Sequence, residues 1–409
     1  GNRQDLNTIQ NYKNLTDATP SLIFGTLLGG SNNENEYGLG DIAIDDTGAL
    51  YIAGYTSSND FPTSIGAFDT EFAGGGSYNS DAFVIKFSPD GKNLEYATFL
   101  GGPEGYEIIK SMAIDSNGQV LVTGRTESAS YPTTDNALDD EFSGGSDAFV
   151  TKLSADGTSL IFSTFVGGNS YEAGEGITVD ETGIYVTGFT YSDDFETTTG
   201  AYRESCQAYY TPFVVKLSND GSNVNYSTCL GATDYSTSRD IAVDAQGNAY
   251  IVGRTNGIEV TPFAFDQSYN GNEDGFLLKL NETGTDLVYS TYIGGNEFDE
   301  PYHIAVDESG SAYIVGTTSS PDFPTTSGTI DPMFTSSITG FLLSINPDGS
   351  QLNFSTFFGG TEYGCFGELN DLTLDQNNNI YLTGGTSCPD FPLTENAIRK
   401  TMDGNESFI

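Results

Sequence analysis

The sequence contains no tryptophan, one histidine, and only 14 lysines and arginines against 57 aspartates and glutamates. The resulting formal charge of −43 excludes a nucleic-acid partner, because phosphate recognition requires lysine and arginine. The same charge argues against docking on an anionic membrane surface. It favours solubility and attracts cations, calcium among them. No run of about 18 apolar residues occurs, so no segment is predicted to span a bilayer as a helix.

Catalytic motifs are missing as well. A serine–histidine–aspartate site would need the one histidine, His303, and no GxSxG elbow accompanies it. Walker, Rossmann and HExxH patterns are absent, as are the tryptophan-containing Asp boxes of sialidase propellers. Carboxylates are so numerous that no single pair indicates glycosidase chemistry. We therefore expect a chain that is not an enzyme, and we interpret His303 as a polar residue at a strand end.

Six near-copies of one phrase give the sequence its period. They are "FGTLLGG", "YATFLGG", "FSTFVGG", "YSTCLGA", "YSTYIGG" and "FSTFFGG", and their threonines stand 63 to 72 residues apart. Such self-similarity is typical of repeats that bury one another's faces. Each unit contains four short segments rich in β-branched and aromatic residues, bounded by Gly, Pro, Asn or Asp. We name these predicted strands a, b, c and d; the phrase ends strand d.

These units predict an all-β fold, a β-propeller of four-stranded antiparallel blades with six blades visible. An orphan strand d at 21–30 opens the chain and the last unit ends in strand c. We therefore expect residues 21–30 to close the ring by pairing with the last blade near Ser407. We also expect a mature or trimmed N-terminus, and a natural chain that continues beyond Ile409. The predicted boundaries are a linker at 1–20 and a propeller at 21–409, with blades at 41–102, 111–168, 176–232, 240–295, 303–360, and 371–409 plus 21–30.

Three residue types recur at fixed positions of the unit. A glycine near the end of strand b indicates tight packing against a neighbouring sheet. An aspartate closes strand a, and we interpret it as an Asx-type turn in preference to a ring of metal ligands. A lysine in strand c is expected to pair with a carboxylate or carbonyl; the alternative is a basic ligand-binding ring. The aspartates are Asp45, Asp115, Asp180, Asp244, Asp307 and Asp375, and the lysines are Lys86, Lys152, Lys216 and Lys279.

The four cysteines form two neighbouring pairs, each 23 residues apart, without a CxxC zinc pattern. An even count in a glycine-rich acidic chain favours an oxidising, extracellular setting; four unpaired buried thiols are the alternative. We predict disulfides Cys206–Cys229 and Cys365–Cys388, because the other pairings would join blades three and six across the ring.

The wording of the units resembles the SBBP repeat, a bacterial β-propeller repeat named for seven-bladed propellers. The phrases "STYIGG", "IAVDESGSAYIVGTT", "SPDFPTT" and "SDAFVTKLSADGTSLIFSTFVGG" carry the resemblance, which extends over about residues 21–409. Blades three and four depart from it with "DDFETTT" and "NGIEVTPF". The resemblance implies a secreted or surface-exposed bacterial protein without an established enzymatic activity. Many similar proteins in Bacteroidota look like cargo of the type nine secretion system.

A ligand is expected on the face that carries the long b–c loops and the d–a connections, since long loops on a rigid scaffold concentrate binding functions. The residue preceding strand a varies between blades and would line the channel mouth on this face. The alternative is that this variation marks unconstrained surface. The candidate ligand-binding residues are Lys110, Arg125, Glu175, Arg239, Arg254, Tyr302 and His303.

The predicted function is that of a non-catalytic binding or structural module, extracellular or on the outer cell surface. Its partner would be a protein, a glycan, or a neighbouring domain or subunit, as in adhesion. The alternative is a polysaccharide-active lyase or hydrolase that uses the central channel, with tyrosine in the roles of the missing histidine and tryptophan. No cofactor is expected, and any bound ion would be a structural Ca²⁺ held by loop carboxylates and carbonyls.

Overall fold

The computed structural model of the chain describes residues 25–34, 40–74, 80–206, 209–231, 235–328, 338–360, 364–395 and 406–408, together with residues 330, 334, 362, 397 and 404. These residues form 23 strands, numbered β1 to β23 along the chain. They include no helix long and apolar enough to cross a membrane.

The first three blades contain β1 (Asp41–Ile44), β2 (Leu50–Thr56), β3 (Asp81–Phe87), β4 (Leu94–Leu100), β5 (Glu107–Ile114), β6 (Val120–Thr126), β7 (Asp147–Leu153), β8 (Leu160–Val166), β9 (Glu172–Asp180), β10 (Gly183–Thr190), β11 (Thr211–Leu217) and β12 (Val224–Cys229). The last three contain β13 (Ser236–Val243), β14 (Ala249–Thr255), β15 (Asp274–Leu280), β16 (Leu287–Ile293), β17 (Asp299–Val306), β18 (Ala312–Thr318), β19 (Thr339–Ile345), β20 (Leu352–Phe358), β21 (Gly367–Leu374), β22 (Ile380–Thr386) and β23 (Glu406–Phe408).

Each sheet consists of strands that are consecutive in the chain and pair antiparallel, in the order a, b, c, d. Residues from the six strands a, which are β1, β5, β9, β13, β17 and β21, line one central cavity. Six sheets that share one channel through their first strands make a β-propeller. The predicted all-β propeller is therefore confirmed.

Strand a begins four residues earlier than the sequence predicts in blades two to six. In each of these blades the pairing of strands a and b shifts by one residue beside the strand b glycine. The extra, unpaired residues of these β-bulges are Lys110, Glu175, Arg239, Tyr302 and Asn370. The prediction that these residues precede strand a was wrong. Because a bulge interrupts the alternation of apolar residues, the first part of the strand is hidden in the sequence.

The strand b glycine is required by this bulge. A Cβ on Gly124 would lie 1.8 Å from the carbonyl oxygen of Ile108, and one on Gly253 would lie 2.0 Å from the carbonyl oxygen of Thr237. In both cases the carbonyl belongs to strand a of the same sheet. The interpretation that these glycines accommodate a neighbouring sheet was therefore wrong.

Strand c forms the centre of each blade. Every residue of β7, β11, β15 and β19 is buried, as their apolar character on both faces predicts. An aromatic ring from the b–c loop packs on the strand c phenylalanine, with ring centroids 4.4 to 4.8 Å apart. These pairs are Phe61–Phe83, Tyr131–Phe149, Phe195–Phe213, Phe323–Phe341 and Phe391–Phe408.

The b–c loop then covers the outer edge of strand d through the threonine of the repeated phrase. In blade two the Thr164 hydroxyl accepts the Asp139 amide at 2.9 Å, and the Phe165 amide donates to the Asp139 carbonyl at 3.0 Å. This contact shields an edge that would otherwise offer unpaired amides to another chain. Part of each loop that the sequence assigned to ligand binding is thus structural. The same threonine contact recurs at Thr98, Thr228 and Thr291.

The two glycines that end the phrase allow the d–a connection to pass close to the next blade. After blade two, the Asn169 amide donates to Asp194 Oδ1 at 3.0 Å and the Ser170 amide donates to Ser192 Oγ at 2.9 Å. A Cβ on Gly168 would lie 2.5 Å from the Ser192 Cβ. We call this pair of hydrogen bonds the inter-blade clasp. It recurs with Asn296, Glu297, Asp322 and Ser320 before blade five, and with Ser31, Asn32, Asp60 and Ser58 before blade one.

The predicted ring closure by residues 21–30 is not confirmed. Residues 25–30 belong to no strand, residues 21–24 lie outside the described residues, and the described part of the sixth sheet has three strands. Residues 31–32 nevertheless donate to blade one the same two hydrogen bonds that the d–a connections donate in the clasps before blades three and five. The first copy of the phrase therefore docks on blade one as the third and fifth copies dock on blades three and five.

The aspartate that closes strand a forms the predicted turn. Asp115 Oδ1 accepts the amides of Asn117 and Gln119, both at 2.9 Å. The second oxygen faces the strand c lysine, and Lys152 Nζ lies 2.9 Å from Asp115 Oδ2. The Asx-turn interpretation is confirmed, and the paired-lysine interpretation is confirmed for Lys86, Lys152 and Lys279. Lys216 has no ion pair among the described residues, and its Nζ lies 4.6 Å from the centre of the Tyr185 ring. The lysine pairing recurs, at 3.0 Å, in Lys279–Asp244.

Both predicted disulfides are present, with Cα atoms 5.6 Å apart in Cys206–Cys229 and 4.9 Å apart in Cys365–Cys388. Cys206 lies in the b–c loop of blade three and Cys229 ends β12. Cys388 occupies the position that Ser192 has in the clasp, three residues before the aromatic residue of the loop. The second disulfide therefore joins blades five and six where other junctions use a hydrogen bond.

The bulge makes a stability prediction. Replacing Gly253 with alanine should destabilise the protein by about 1–3 kcal/mol, because the new methyl group overlaps a backbone carbonyl that cannot move without opening the sheet. The urea midpoint of the G253A variant measures this. The control is G145A, whose Cβ would lie 3.5 Å from the Ser170 carbonyl, and it should change stability by less than about 0.5 kcal/mol. Equal midpoints for both variants would contradict the requirement.

Candidate functional site

The bulge residues of three neighbouring blades meet at one end of the channel. Arg239 Nη2 lies 2.6 Å from Glu300 Oε1, and Arg239 Nη1 lies 3.7 Å from Glu175 Oε2. Lys110 Nζ approaches Glu175 Oε2 at 4.0 Å, and Arg254 Nε lies 3.3 Å from Glu300 Oε1. These five residues, from blades two to five, form what we call the mouth network. Three of the five, Lys110, Glu175 and Arg239, are bulge residues, which a bulge can turn away from the alternation of its strand.

The ion pairs of the mouth network shift the pKa values of its cations. Although burial lowers the pKa of Arg239, the Glu300 and Glu175 carboxylates raise it above its usual value. Burial lowers the pKa of Lys110, and Glu175 offsets only part of that effect, while Arg239 and Arg125 add to it. Arg239 is therefore held as a fixed cation, whereas Lys110 is the cation of this network that loses its proton most readily.

Arg125 lies beside the mouth network but is not part of it. Its guanidinium carbon lies 5.7 Å from the centre of the Tyr106 ring and 5.5 Å from that of Tyr171. Among the described residues no carboxylate lies within ion-pair distance of Arg125, and its buried Nε has no hydrogen-bond partner. Arg254, at the same position of strand b in blade four, instead has Glu273 at 2.8 Å. Arg125 therefore offers an uncompensated positive charge between two aromatic rings.

Aromatic rings continue from Tyr171 along the same face of blade three. Adjacent ring centroids are 4.0 to 6.1 Å apart, and the series ends at Tyr235, whose ring lies 5.1 Å from the Arg254 guanidinium. Tyr209 is 73% exposed, and Tyr210 has φ 64°, in the left-handed region that few side chains adopt. We call this series the aromatic ridge. Its members are Tyr171, Phe189, Tyr191, Tyr209, Tyr210 and Tyr235.

A second layer of polar residues lines the channel below the bulges. His303 Nε2 lies 3.4 Å from Asp240 Oδ2 and 3.2 Å from Asp371 Oδ1, and its Nδ1 is buried without a hydrogen-bond partner. Asp240 also accepts the Ile304 amide of the next blade at 2.9 Å. The channel layer thus links blades four, five and six. Asp41 completes it from blade one.

The pKa values of three titratable groups in the channel layer are raised above their ordinary values. Burial raises the pKa of Asp41 to about 6 and raises that of Asp240. Burial alone would lower the pKa of His303, but the carboxylates of Asp240, Asp371 and Asp41 raise it above its ordinary value. The facing carboxylates therefore favour the charged form of the imidazole, whose Nε2 faces both Asp240 and Asp371.

The structure brings together Lys110, Glu175, Arg239 and Arg254 as the sequence predicts, and it places Arg125 beside them. His303 lies deeper in the channel, and the Tyr302 hydroxyl bonds to Thr317 at 3.1 Å. Glu300 was missed, because in an acidic chain no pattern distinguishes it. Asp240 and Asp371 share the repeat position of His303 but were not included among the candidate residues. The tyrosine before strand a of blades two, three and four would have been a usable signal, since it recurs at Tyr106, Tyr171 and Tyr235.

The described residues contain one group of three side chains close enough to share a metal ion: Cys365, Cys388 and Asp390. The two sulfur atoms are joined in a disulfide, so they are not available as thiolate ligands. This group is therefore not interpreted as a metal centre.

Residues 225–258 and 288–324 match the family described as SBBP, a beta-propeller repeat. Two segments of the chain are thus SBBP repeats. Each matched segment runs from strand d of one blade through strands a and b of the next. The part of the chain that the SBBP model matches therefore spans the junctions before blades four and five. No curated protein sequence matches the chain at a significant level.

The solved structures that are similar to this chain include proteins of different kinds. A mutant of the apocarotenoid oxygenase of Synechocystis is 10% identical with a TM-score of 0.40, and the match covers 93% of this chain and 78% of that one. A gluconolactonase from Xanthomonas campestris is 14% identical with a TM-score of 0.35, and the match covers 75% of this chain and 78% of that one. BamB from Moraxella catarrhalis is 12% identical with a TM-score of 0.32, and the match covers 89% of this chain and 98% of that one. Similarity at this level says nothing about the function of this chain.

The channel layer makes a pH prediction. Because His303 is the one histidine, its NMR titration needs no assignment, and its pKa should lie above the ordinary value of about 6.5. Asp371→Asn should lower that pKa, since one of the facing carboxylates is removed. Asp375→Asn, in the exposed a–b turn, is the control and should leave it unchanged.

The same shift has a consequence for stability. A raised folded-state pKa means that the His303 contribution is fully present below about pH 6.5 and is lost as the pH rises through the raised value. The stability difference between the wild type and H303Q should therefore shrink from pH 6 to pH 9. A His303 pKa below 6.5, or one that D375N lowers as much as D371N does, would contradict the description of the channel layer.

Proposed function

We propose that this SBBP propeller is a non-catalytic binding module of a secreted or cell-surface protein, and that its ligand is an acidic glycan. The binding surface is the face formed by the b–c loops and d–a connections around Arg125 and the aromatic ridge. The observation that carries the proposal is the Arg125 guanidinium, which lies between Tyr106 and Tyr171 without a carboxylate partner among the described residues.

The charge balance of the chain supports an anionic ligand group at Arg125. Carboxylates exceed cations fourfold in the sequence, and the neighbouring Arg239 and Arg254 are each paired with glutamate. An arginine without such a partner in this chain is the position at which a uronate or sulfate group gains most, because its charge-assisted hydrogen bonds would not compete with an internal ion pair.

The aromatic ridge supports a ring-shaped ligand. Sugar rings present apolar C–H faces, and tyrosine supplies a flat apolar surface with a polar hydroxyl at its edge. The ridge starts at Tyr171, the ring that also faces Arg125, so one ligand can contact both. The exposed Tyr209 extends the surface away from the channel. A sugar chain with an acidic group on one sugar could place that group at Arg125 and its neighbouring sugar rings on the aromatic ridge.

The pairing of the one histidine argues against its use as a general base. Such a base needs a nitrogen that is free to take a proton from a substrate. The His303 side chain is 36% exposed to the channel, but its Nε2 faces Asp240 and Asp371 and its Nδ1 is buried. The two disulfides support an oxidising location such as the cell exterior.

The test is a binding assay on polysaccharides with and without uronate or sulfate groups, run beside a turnover assay on the same materials. The wild type should bind acidic polysaccharides and leave them intact. Arg125→Gln should weaken that binding about tenfold or more, the worth of a charge-assisted hydrogen bond. Arg203→Gln is the matched control, because Arg203 also lies over a tyrosine ring but is paired with Glu259 at 3.2 Å.

Three results would contradict the proposal. One is equal loss of binding in both arginine variants, which would indicate only an effect of net charge. Another is equal binding of neutral polysaccharides. The third is release of shorter sugars by the wild type, which would favour the lyase or hydrolase alternative. Binding of acidic peptides in place of glycans would move the ligand class to protein.

A further inference from the structure

Buried carboxylates meet in pairs at three junctions between blades. At each of these junctions the first residue of strand c and the first residue of the next strand a are both acidic. All six side chains are at most 1% exposed. The pairs are Asp81 with Glu107, Asp147 with Glu172, and Asp274 with Asp299.

The first glycine of the repeated phrase lies directly over these carboxylates. A Cβ on Gly101 would lie 2.8 Å from Asp81 Oδ1. One on Gly167 would lie 3.0 Å from Asp147 Oδ1 and 3.2 Å from Glu172 Oε2. Both carboxylates of a pair therefore face the same small volume beneath the phrase, and glycine is the residue that leaves this volume open.

The hydrogen bonds of the first pair use only half of its oxygens. Asp81 Oδ2 accepts the Ala73 amide at 2.7 Å, and Glu107 Oε1 accepts the Thr126 hydroxyl at 2.9 Å. Asp81 Oδ1 and Glu107 Oε2 are buried with no donor at hydrogen-bond distance. The Gly74 and Gly102 amides lower the pKa values of the two carboxyls from farther away. Buried carboxylate oxygens without a partner are costly, so two of them at one place point to an absent ligand.

The other two pairs repeat the pattern. Asp147 Oδ1 and Asp299 Oδ1 are buried without a hydrogen-bond partner, while Glu172 and Asp274 are held by hydroxyl groups or amides. No lysine or arginine among the described residues forms an ion pair with any of the six. Burial raises the pKa of Asp147 to about 7 and that of Glu107 to about 8, because no cation in the described part of the chain offsets the cost of burying the charged carboxylate.

We propose that each of these three junctions binds one Ca²⁺ ion between its two carboxylates. A hard cation selects carboxylate oxygens and supplies the positive charge that the sites lack. Ca²⁺ suits them better than Mg²⁺, because Mg²⁺ retains several waters and these side chains are fully buried. Each ion would tie strand c of one blade to strand a of the next. The remaining ligands would be backbone carbonyls and water.

The chain contains its own negative controls. The junction between blades three and four has Thr211 and Ser236 at the two positions, and that between blades five and six has Thr339 and Gly367. Neither offers a carboxylate. The proposal therefore predicts three bound Ca²⁺ ions and not one for every junction.

The experiment uses the whole chain, desalted after equilibration with millimolar CaCl₂, with bound calcium counted by elemental mass spectrometry. The wild type should retain three ions, and Glu107→Gln should retain two. The control is Glu141→Gln, which removes an exposed charge and should retain three. Thermal unfolding gives a second readout: Ca²⁺ should raise the Tm of the wild type by at least about 3 °C over EDTA, and by less in E107Q.

The sign of the E107Q effect separates a metal site from a protonated carboxyl pair. In EDTA, E107Q should be at least as stable as the wild type, because the glutamine removes one of two facing carboxylates. In Ca²⁺ the order should reverse. No calcium retained, the same calcium count in E107Q as in the wild type, or an equal Tm rise with Mg²⁺ would each overturn the proposal.

Discussion

The inter-blade clasp is the contact on which the rest of the structure depends. A propeller blade contacts only its neighbours, so stability is a sum of blades and junctions. At each described clasp, two backbone amides after the phrase donate to a serine and an aspartate of the following loop. Three residues that recur in the phrase then have a structural role. The threonine binds the loop over the strand edge. The first glycine leaves room for the buried side chains at the junction, and the second leaves room for the serine of the clasp.

The distribution of the few cations explains how so acidic a chain folds and why one face differs. The strand c lysines lie against the aspartates of the a–b turns, as in Lys152 with Asp115. Arg239 and Arg254 both form ion pairs with Glu300 in the mouth network. Among the described residues, Arg125 has no carboxylate partner, and we propose that it binds an external anion. The buried carboxylates at three junctions have no lysine or arginine partner, and we propose that they bind an external cation. The same charge imbalance therefore underlies both proposals.

The sequence was sufficient for features that repeat. The blade count, the strand order, the turn aspartates, the strand c lysines and both disulfides follow from six aligned copies. The start of strand a could not be predicted, because the bulge at Lys110 or Arg239 breaks the alternation that marks a strand. The strand b glycine was located but its partner was wrong, since a one-dimensional pattern does not show which backbone approaches. The contacts of Glu300 and Asp371 with the neighbouring blade could not be predicted, because they join residues about 60 positions apart or more.

Amide hydrogen exchange at the clasp tests its central role most directly. The Ser170 and Glu297 amides donate to Ser192 and Ser320, both at 2.9 Å, although they lie in short connections between strands. If the clasp holds the blades together, these two amides should exchange as slowly as the amides of the adjacent strands c, through the opening of a whole junction. Exchange at the rate of ordinary exposed turns, with strand c still protected, would show that the blades stay together without the clasp and would contradict the account.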